Sequence, residues 1–592
     1  MNNDSRLALT KKSTISESPL FAFKLFIYST ACALLIVIIA MSPAASQSTA
    51  PETPSSAVPP VKVLHDEKGD YIIDEPFPQW VREAAPAENM KTTPCTDASG
   101  LIPDWAAPLP VEPVRCAALS PDKNELWAAT PNGLIFLDLS GKRKLYFAGM
   151  RWLPNDDVLS VGVTLSGDAL AHTVKGDGLV ARRMMTLEQK ALLFEKIAQE
   201  RHNRDGAVVD SPLRTPGDVN SFVLRDDDND GQWTEMYLAA ESFRYAATGD
   251  PEALKNARTS YLAMKRLLTI TPVKGYVARS ILTADKCPGG DPERWRMLAS
   301  GDFCWKSDTS KDELVGHYLG LPLYYYLVAD SAEKTEIKTL ITDLSDYIIG
   351  NGFRLLNENG NVTTYGNLDP EWINGPYGKM GDQGLNSILA LAIPRSAYNI
   401  TGDAKYMDDY HGLIDKHHYH VNSMREKEIS DRLQVNHDSD EMAALSFYSL
   451  LYSENSDTKL RNDFYLEGMR RLWKKDLRER NPEQIIIYCS FERTDCSLDL
   501  AVRTLRELPL DVVKWSVRNS IRKDIPVSQK PDRFNLMQGT FVPPYTETRT
   551  MKWSLNMYQL DTDDGGRSEG VPTFWLLFYW MARYHDLIRP AN

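Results

Sequence analysis

Two stretches of this chain read alike, and they limit the fold more than any other feature. FRYAATGDPEALKNA (243–257) carries a helical pattern up to Thr248-Gly249-Asp250 and a new one from Pro251. SAYNITGDAKYMDDY (396–410) repeats it about Thr401-Gly402-Asp403. Glycine closes a helix in the left-handed conformation, and Asp caps the helix that follows. YYYLVADSAEKTEI (324–337) and YSLLYSENSDTKLRNDF (448–464) are looser forms of the same turn. So short a turn leaves consecutive helices antiparallel and adjacent. Several such hairpins joined by longer loops predict a mainly α fold, an (α/α)6 toroid over 185–592. An open α-solenoid is the alternative, and the uneven loops fit its fixed repeat badly.

The region ahead of the helices differs. Arg6, Lys11, Lys12 and Lys24 precede an apolar run from Leu25 to Met41, then Ser42-Pro43-Ala44-Ala45-Ser46. A basic start, apolar middle and small-residue exit make residues 1–46 a secretory signal or a retained N-terminal anchor. The run is long for a signal and near the lower limit for a membrane span. The rest of the chain is thus expected in the periplasm or outside the cell, touching membrane only if that segment is kept. Residues 47–61 are mostly Ser, Thr, Ala and Pro, a solvated tether, and 47–113 reads as tether plus N-terminal extension.

Cysteine supports export independently. Cys32 lies in the apolar run, and the other six form three close pairs: Cys95 and Cys116, Cys287 and Cys304, Cys489 and Cys496. Even counts in paired spacing suit an oxidising compartment. Nearest-neighbour pairing is one of about 15 connectivities, and six buried free thiols are the other reading. No CxxC spacing is present, so structural zinc is rejected.

Between 114 and 184 the pattern is short β runs. ELWAAT (125–130), Pro-Asn-Gly and LIFLDL align with DALAHT (168–173), Lys-Gly-Asp-Gly and LVARR at an offset of 43 residues. They resemble the LW-x-AT-x-x-GL repeats of sensor propellers in bacterial periplasmic regulators. A closed propeller needs about four blades, and two copies predict a small β domain. Thr186-Leu187-Glu188-Gln189 is a capping box that opens the helical region.

The formal net charge of −13 argues against nucleic acid, which needs a basic surface. The negative charge collects ahead of the helices. Six helix starts are acidic: Asp226-Asp227-Asp228-Asn229-Asp230-Gly231; Asp308, Asp312 and Glu313; Asp369, Glu371 and Asp382; His437, Asp438, Asp440 and Glu441; Glu492 and Asp495; Asp561, Asp563, Asp564 and Glu569. If the short turns lie at one end of a ring, these loops all lie at the other. Acidic residues cap helices anyway, and helix N-termini favour carboxylates. Six together, with Trp233, Trp305, Trp372 and Trp553 nearby, predict a sugar-binding rim.

Glycosidase chemistry needs one carboxyl kept protonated and another ionised. The candidates are Asp312 or Glu313 with Asp382. Glu313 and His317 are four apart and share a helix face; His317 could bind substrate or be a core histidine. Asp228, Asp230, Trp233, Tyr237, Trp372, Tyr377, Asn436, Asp438, Arg549, Trp553 and Glu569 are the other expected substrate contacts. Asp226-x-Asp228-x-Asp230-Gly231 matches half a calcium loop, but Tyr237 stands where its bidentate Glu belongs. No cofactor is required, and calcium stays open. Polysaccharide lyase chemistry is the alternative: Asn436-His437-Asp438, His317-Tyr318 and Arg549 supply a base and groups to neutralise a uronate. The acidic rim mildly disfavours such a polyanion. A non-catalytic glycan-binding or envelope protein is a third reading. No G-x-S-x-G elbow, phosphate-cradling glycine loop or HExxH motif is present.

In layout the helical region resembles the (α/α)-toroid carbohydrate-active enzymes, hydrolases and polysaccharide lyases alike. Motifs such as DDDNDGQWTEMY and DTSKDELVGHY match no named family residue by residue. The resemblance therefore implies a carbohydrate substrate and a site on one rim, and carries over no catalytic residue.

Overall fold

Burial sorts the long helices into two kinds. Six are enclosed almost all round: α2 (Asp230–Thr248), α4 (Lys311–Leu327), α6 (Gln383–Thr401), α8 (Asp438–Ser453), α10 (Pro482–Phe491) and α12 (Thr573–Tyr584). Six bury one face only: α1 (Leu187–Ile197), α3 (Pro251–Thr269), α5 (Ser331–Gly350), α7 (Lys405–Asp415), α9 (Glu467–Asp476) and α11 (Leu498–Glu507). A helix apolar on every side belongs inside, and an amphipathic one belongs at the surface. The two kinds alternate strictly along the chain, outer then inner. The computed structural model describes residues 58–85, 90–289, 291, 294–376, 383–425, 437–532, 535–549 and 555–591.

The inner helices close on themselves. α2 packs on α4, α4 on α6, α6 on α8, α8 on α10, α10 on α12, and α12 returns to α2. That closure makes the fold an (α/α)6 toroid and excludes the open solenoid. The turns that predicted it are built as read. Gly249 caps α2 with φ 69°, and Asp250 Oδ1 accepts from Glu252 N at 2.9 Å to start α3. Gly402 and Asp403 do the same before α7. Each turn joins an inner C-terminus to an outer N-terminus, so the long loops enter the inner helices from the other end.

α2 and α4 approach closely. Gly316 and Gly320 lie on the face of α4 that meets α2. A Cβ at Gly316 would stand 2.7 Å from Gln232 Cα, and one at Gly320 would stand 2.9 Å from the Glu235 carbonyl oxygen. Small residues one turn apart let the two backbones touch.

Ahead of the ring, two antiparallel sheets stack. One runs β5 (Cys116–Leu119), β6 (Glu125–Thr130), β7 (Gly133–Asp138), β8 (Arg143–Phe147). The other has the order β3 (Phe77–Ala84), β11 (Gly176–Met185), β10 (Ala169–Thr173), β9 (Val158–Thr164), β4 (Thr92–Pro94). Their shared core includes Trp80, Trp127, Phe136, Phe147, Val161 and Val163. The repeated segments are equivalent hairpins, turning at Thr130↔Gly133 and Thr173↔Gly176, in a two-sheet stack and not a propeller.

The expected start of this part at 114 is corrected. β3 pairs along β11 from Phe77↔Met185 to Ala84↔Gly178, covering what would otherwise be an open sheet edge. Within the expected N-terminal extension, β1 (Leu64–Asp66) pairs with β2 (Gly69–Asp74), and β2 pairs in parallel with β12 (Ile588–Pro590). Sandwich and ring fall in one compact unit, residues 53–592.

All three nearest-neighbour cysteine pairs are disulfides. Cys95–Cys116 ties one sheet to the other, Cys287–Cys304 closes the loop ahead of α4, and Cys489–Cys496 joins α10 to the turn before α11. Three disulfides suit an extracytoplasmic protein. Among the described residues no helix is long and apolar enough to cross a membrane.

Candidate functional site

The ring gives every inner helix the same direction, so their N-termini share one rim. Five of the six acidic starts lie there, ahead of α2, α4, α6, α8 and α12. The sixth does not. Glu492 caps the C-terminal end of α10, and Asp495 precedes the outer helix α11, so both belong to the opposite end. The residues that fill their place are Glu479 and Glu483 at the start of α10. The available signal was Asn481-Pro482, a cap followed by proline at the first helical position.

The loop before α2 is a knot of charge. Lys306 Nζ lies 3.2 Å from Asp226 and 3.0 Å from Asp228, and Arg279 Nη2 lies 3.0 Å from Asp228. Arg294 also pairs with Asp228. Burial works against ionisation of Asp228, but Arg279, Lys306 and Arg294 outweigh it and hold the carboxyl below its usual range. Asp230 pairs with Arg204 and Ser280 and accepts from Asp227 N at 2.7 Å. Burial raises its pKa to about 6, with Arg204 opposing. Four protein cations thus neutralise the carboxylates that a calcium ion would have needed.

Behind that loop, α2 and α4 enclose two more carboxyls. Glu313 is fully buried, and neither of its oxygens finds a hydrogen-bond partner among the described residues. Gly231 makes room for it: a Cβ there would meet the Glu313 carboxylate at 1.8 Å. Burial pushes the Glu313 pKa well up, Arg279 opposes this, and Asp230, Asp312 and Glu235 add to it. Glu235 Oε1 lies 2.7 Å from His317 Nδ1, both without exposure. Burial alone raises the Glu235 carboxyl far above its usual range and lowers His317 to about 3. His317 is therefore enclosed as a neutral core histidine. Asp312, one residue before Glu313, is half-buried.

A second cluster stands at the start of α8. His437 Nδ1 is 2.5 Å from Asp440 and Nε2 is 2.9 Å from Glu479, with all three side chains buried. Ligand atoms of His437, Asp440 and Asp476 lie within 4.8 Å of one another, close enough to share a metal ion. As the side chains stand, the imidazole is instead held between Asp440 and Glu479. Asp438 is exposed beside it.

Other expected contacts are placed less favourably. Tyr237 points outward from α2: it is fully buried, donates to Glu195 at 2.8 Å and accepts from Gln199 at 2.8 Å. Glu569 is buried in a bidentate pair with Arg201, 2.7 Å on each arm. Trp233 keeps 9% exposure and donates to Asp227 at 3.0 Å. Trp305 is core, whereas Trp372 is 40% exposed on a short turn of helix before α6. Arg549 donates to Gln559 at 3.0 Å. Asp382, Tyr377, Asn436 and Trp553 lie outside the described residues.

No protein-family model matches this sequence, and no curated protein matches it. Among solved structures it is similar to the cellobiose 2-epimerase of Bacillus thermoamylovorans B4167, at 12% identity over 67% of this chain and 98% of that one, TM-score 0.37. It is also similar to the family GH76 α-1,6-mannanase of Salegentibacter sp. HEL1_6, at 12% identity over 49% of this chain and 87% of that one, TM-score 0.25. A third is the family 76 mannosidase of Bacteroides thetaiotaomicron VPI-5482, at 11% identity, 48% and 85% coverage, TM-score 0.23.

Proposed function

We propose that this chain is an exported carbohydrate-active enzyme that hydrolyses glycosidic bonds at the N-terminal rim of its inner ring. The observation that carries this is Glu313: a fully buried carboxyl whose pKa burial holds well above the usual carboxylate range, next in the chain to the half-buried Asp312 at the start of α4. Perturbed carboxyls of this kind concentrate where proton transfer is needed. Hydrolysis requires such a pair, one group giving its proton to the leaving oxygen while the other attacks or activates water. Glu313 takes the first role, with Asp312 or Asp382 in the second. The burial that encloses Glu313 also favours its protonated form.

Elimination is the weaker reading. His437 has both ring nitrogens engaged by carboxylates, which suits a positioned side chain better than a base awaiting a proton from carbon. The test is incubation of the exported protein with mannan, xylan, β-glucan and polygalacturonate, reading new reducing ends and the absorbance of unsaturated uronates. Reducing ends that disappear in Glu313→Gln or Asp382→Asn support the proposal. Rising uronate absorbance, or unchanged turnover in both variants, would overturn it.

A further inference from the structure

Two cavities, about 710 and 970 Å³, open along the seam where the β sandwich meets the connection from α11 to α12. They share Met150, Arg151, Trp152 and Trp515 as lining. The seam is not loosely docked. Trp152 Nε1 donates to Thr546 O at 2.9 Å, Arg151 Nη1 to Thr548 O at 2.8 Å, and Tyr146 N to Glu547 at 2.9 Å. Arg522 closes a buried ion pair with the same Glu547. The space between such fixed walls is therefore preformed, and cavities of several hundred Å³ at module interfaces are where ligands bind.

Trp515 is held in that space by three devices. Its Nε1 donates to Asp511 at 2.7 Å. Its ring lies on Gly217 and Gly566, where a Cβ would stand 2.2 and 2.6 Å from ring atoms. Both glycines have positive φ, 78° and 70°, and Gly217 N donates to Gly566 O at 2.8 Å, so the two backbones form one flat shelf. The ring is half-buried and lines both cavities. An aromatic face fixed in this way offers contact area at little entropic cost. Asp561 and Asp563, from the acidic start ahead of α12, line the first cavity together with Trp515, which places the ring at the edge of the acidic rim. The first cavity is also lined by Asn155, whose Oδ1 accepts from Asp157 N at 2.9 Å, by Gln559 and Asp561, which are held by Arg549 and Ser520, and by Asp156 and Arg518 of opposite charge.

We infer that Trp515 is the stacking platform of a second carbohydrate-binding site, which holds a neutral polysaccharide chain where it runs off the rim into the seam. This rests on the carbohydrate reading of the rim. Mixed charge and an apolar ring favour neutral sugars over uronates. The probe is native electrophoresis of the full exported protein in gels containing mannan, xylan, β-glucan or polygalacturonate, beside turnover of the same polymers. The expected result is retardation by at least one neutral polymer and none by polygalacturonate. Trp515→Ala should weaken it at least fivefold, while Trp515→Tyr, which keeps a stacking face, stays within about twofold. Asp563→Ala, an exposed change on the cavity wall, gives a measurable but smaller loss and guards against misfolding of the tryptophan variant. Retardation or turnover that is indifferent to both Trp515→Ala and Asp563→Ala would sink the seam site and leave the rim reading standing. Neither retardation nor turnover of any polymer would sink both.

Discussion

The same six inner helices end in two very different ways. At their N-termini they gather buried carboxyls, Asp230, Glu313, Asp440, Glu479 and Glu569 among them. At their C-termini they gather rings: Tyr448 stacks on Tyr452 at 5.8 Å, meets Phe491 at 5.4 Å and hydrogen-bonds His585 at 2.8 Å, and Tyr326 joins at 6.2 Å. Backbone N–H groups and the helix dipole make the first end hospitable to negative charge. No such reward exists at the second, where apolar area closes the ring. One end is therefore organised for stability, and the other buries carboxyls at a cost to stability, Glu313 with no hydrogen-bond partner among the described residues.

The largest expected effect on stability lies at the aromatic end. Tyr448→Ala removes a fully buried ring from the cluster and should cost about 3–5 kcal/mol in a denaturant titration, with turnover of the folded fraction unchanged. A loss of turnover without a loss of stability would reverse the roles of the two ends.

Next is the seam that carries Glu313. Gly320→Ala drives a methyl group into the Glu235 carboxyl and backbone, and should cost about 1–3 kcal/mol in the same titration. Gly412→Ala on the outer helix α7 meets nothing within 4 Å and should stabilise by about 0.5–1 kcal/mol. Equal effects would mean that the inner contact is looser than drawn.

The smallest effect is a slope. Glu313 has a folded pKa well above its unfolded value near 4.5, so the folded state holds a proton that the unfolded state releases. Its contribution is fully present below pH 4.5 and is lost as pH rises towards the folded pKa. Asp230 acts likewise between 3.8 and about 6. Melting curves of Glu313→Gln and the parent should therefore diverge in the variant's favour as pH rises above 4.5. Parallel curves would show that Glu313 ionises normally.

How much of this could be read beforehand follows from how local each signal is. Thr248-Gly249-Asp250 and the capping box at Thr186 act within one turn, and both are built as read. The neutralisation of the Asp226–Asp230 loop comes from Arg204, Arg279, Arg294 and Lys306, none of them adjacent in sequence, so the loop alone could not show it. β3 was missed because its partner β11 lies about a hundred residues away. The surroundings of His317 and Tyr237 were not legible for another reason. On a helix apolar all round, spacing does not tell which face meets the rim and which meets a neighbour. The one misplaced acidic start came from overlooking the short helix α10 and taking α11 as its successor in the ring.

The central claim is that the acidic end of the ring does the chemistry. It is tested most directly by making the same substitution at two fully buried glutamates of raised pKa. Glu313 lies at the rim, and Glu241 lies towards the other end of α2. Turnover of the polysaccharide that the parent cleaves best is measured for Glu313→Gln and Glu241→Gln at a temperature where both remain folded. The account predicts a loss of about 10²–10⁴-fold for Glu313→Gln, the size of a general-acid contribution, and less than about threefold for Glu241→Gln. Equal losses, or a loss confined to Glu241→Gln, would contradict it.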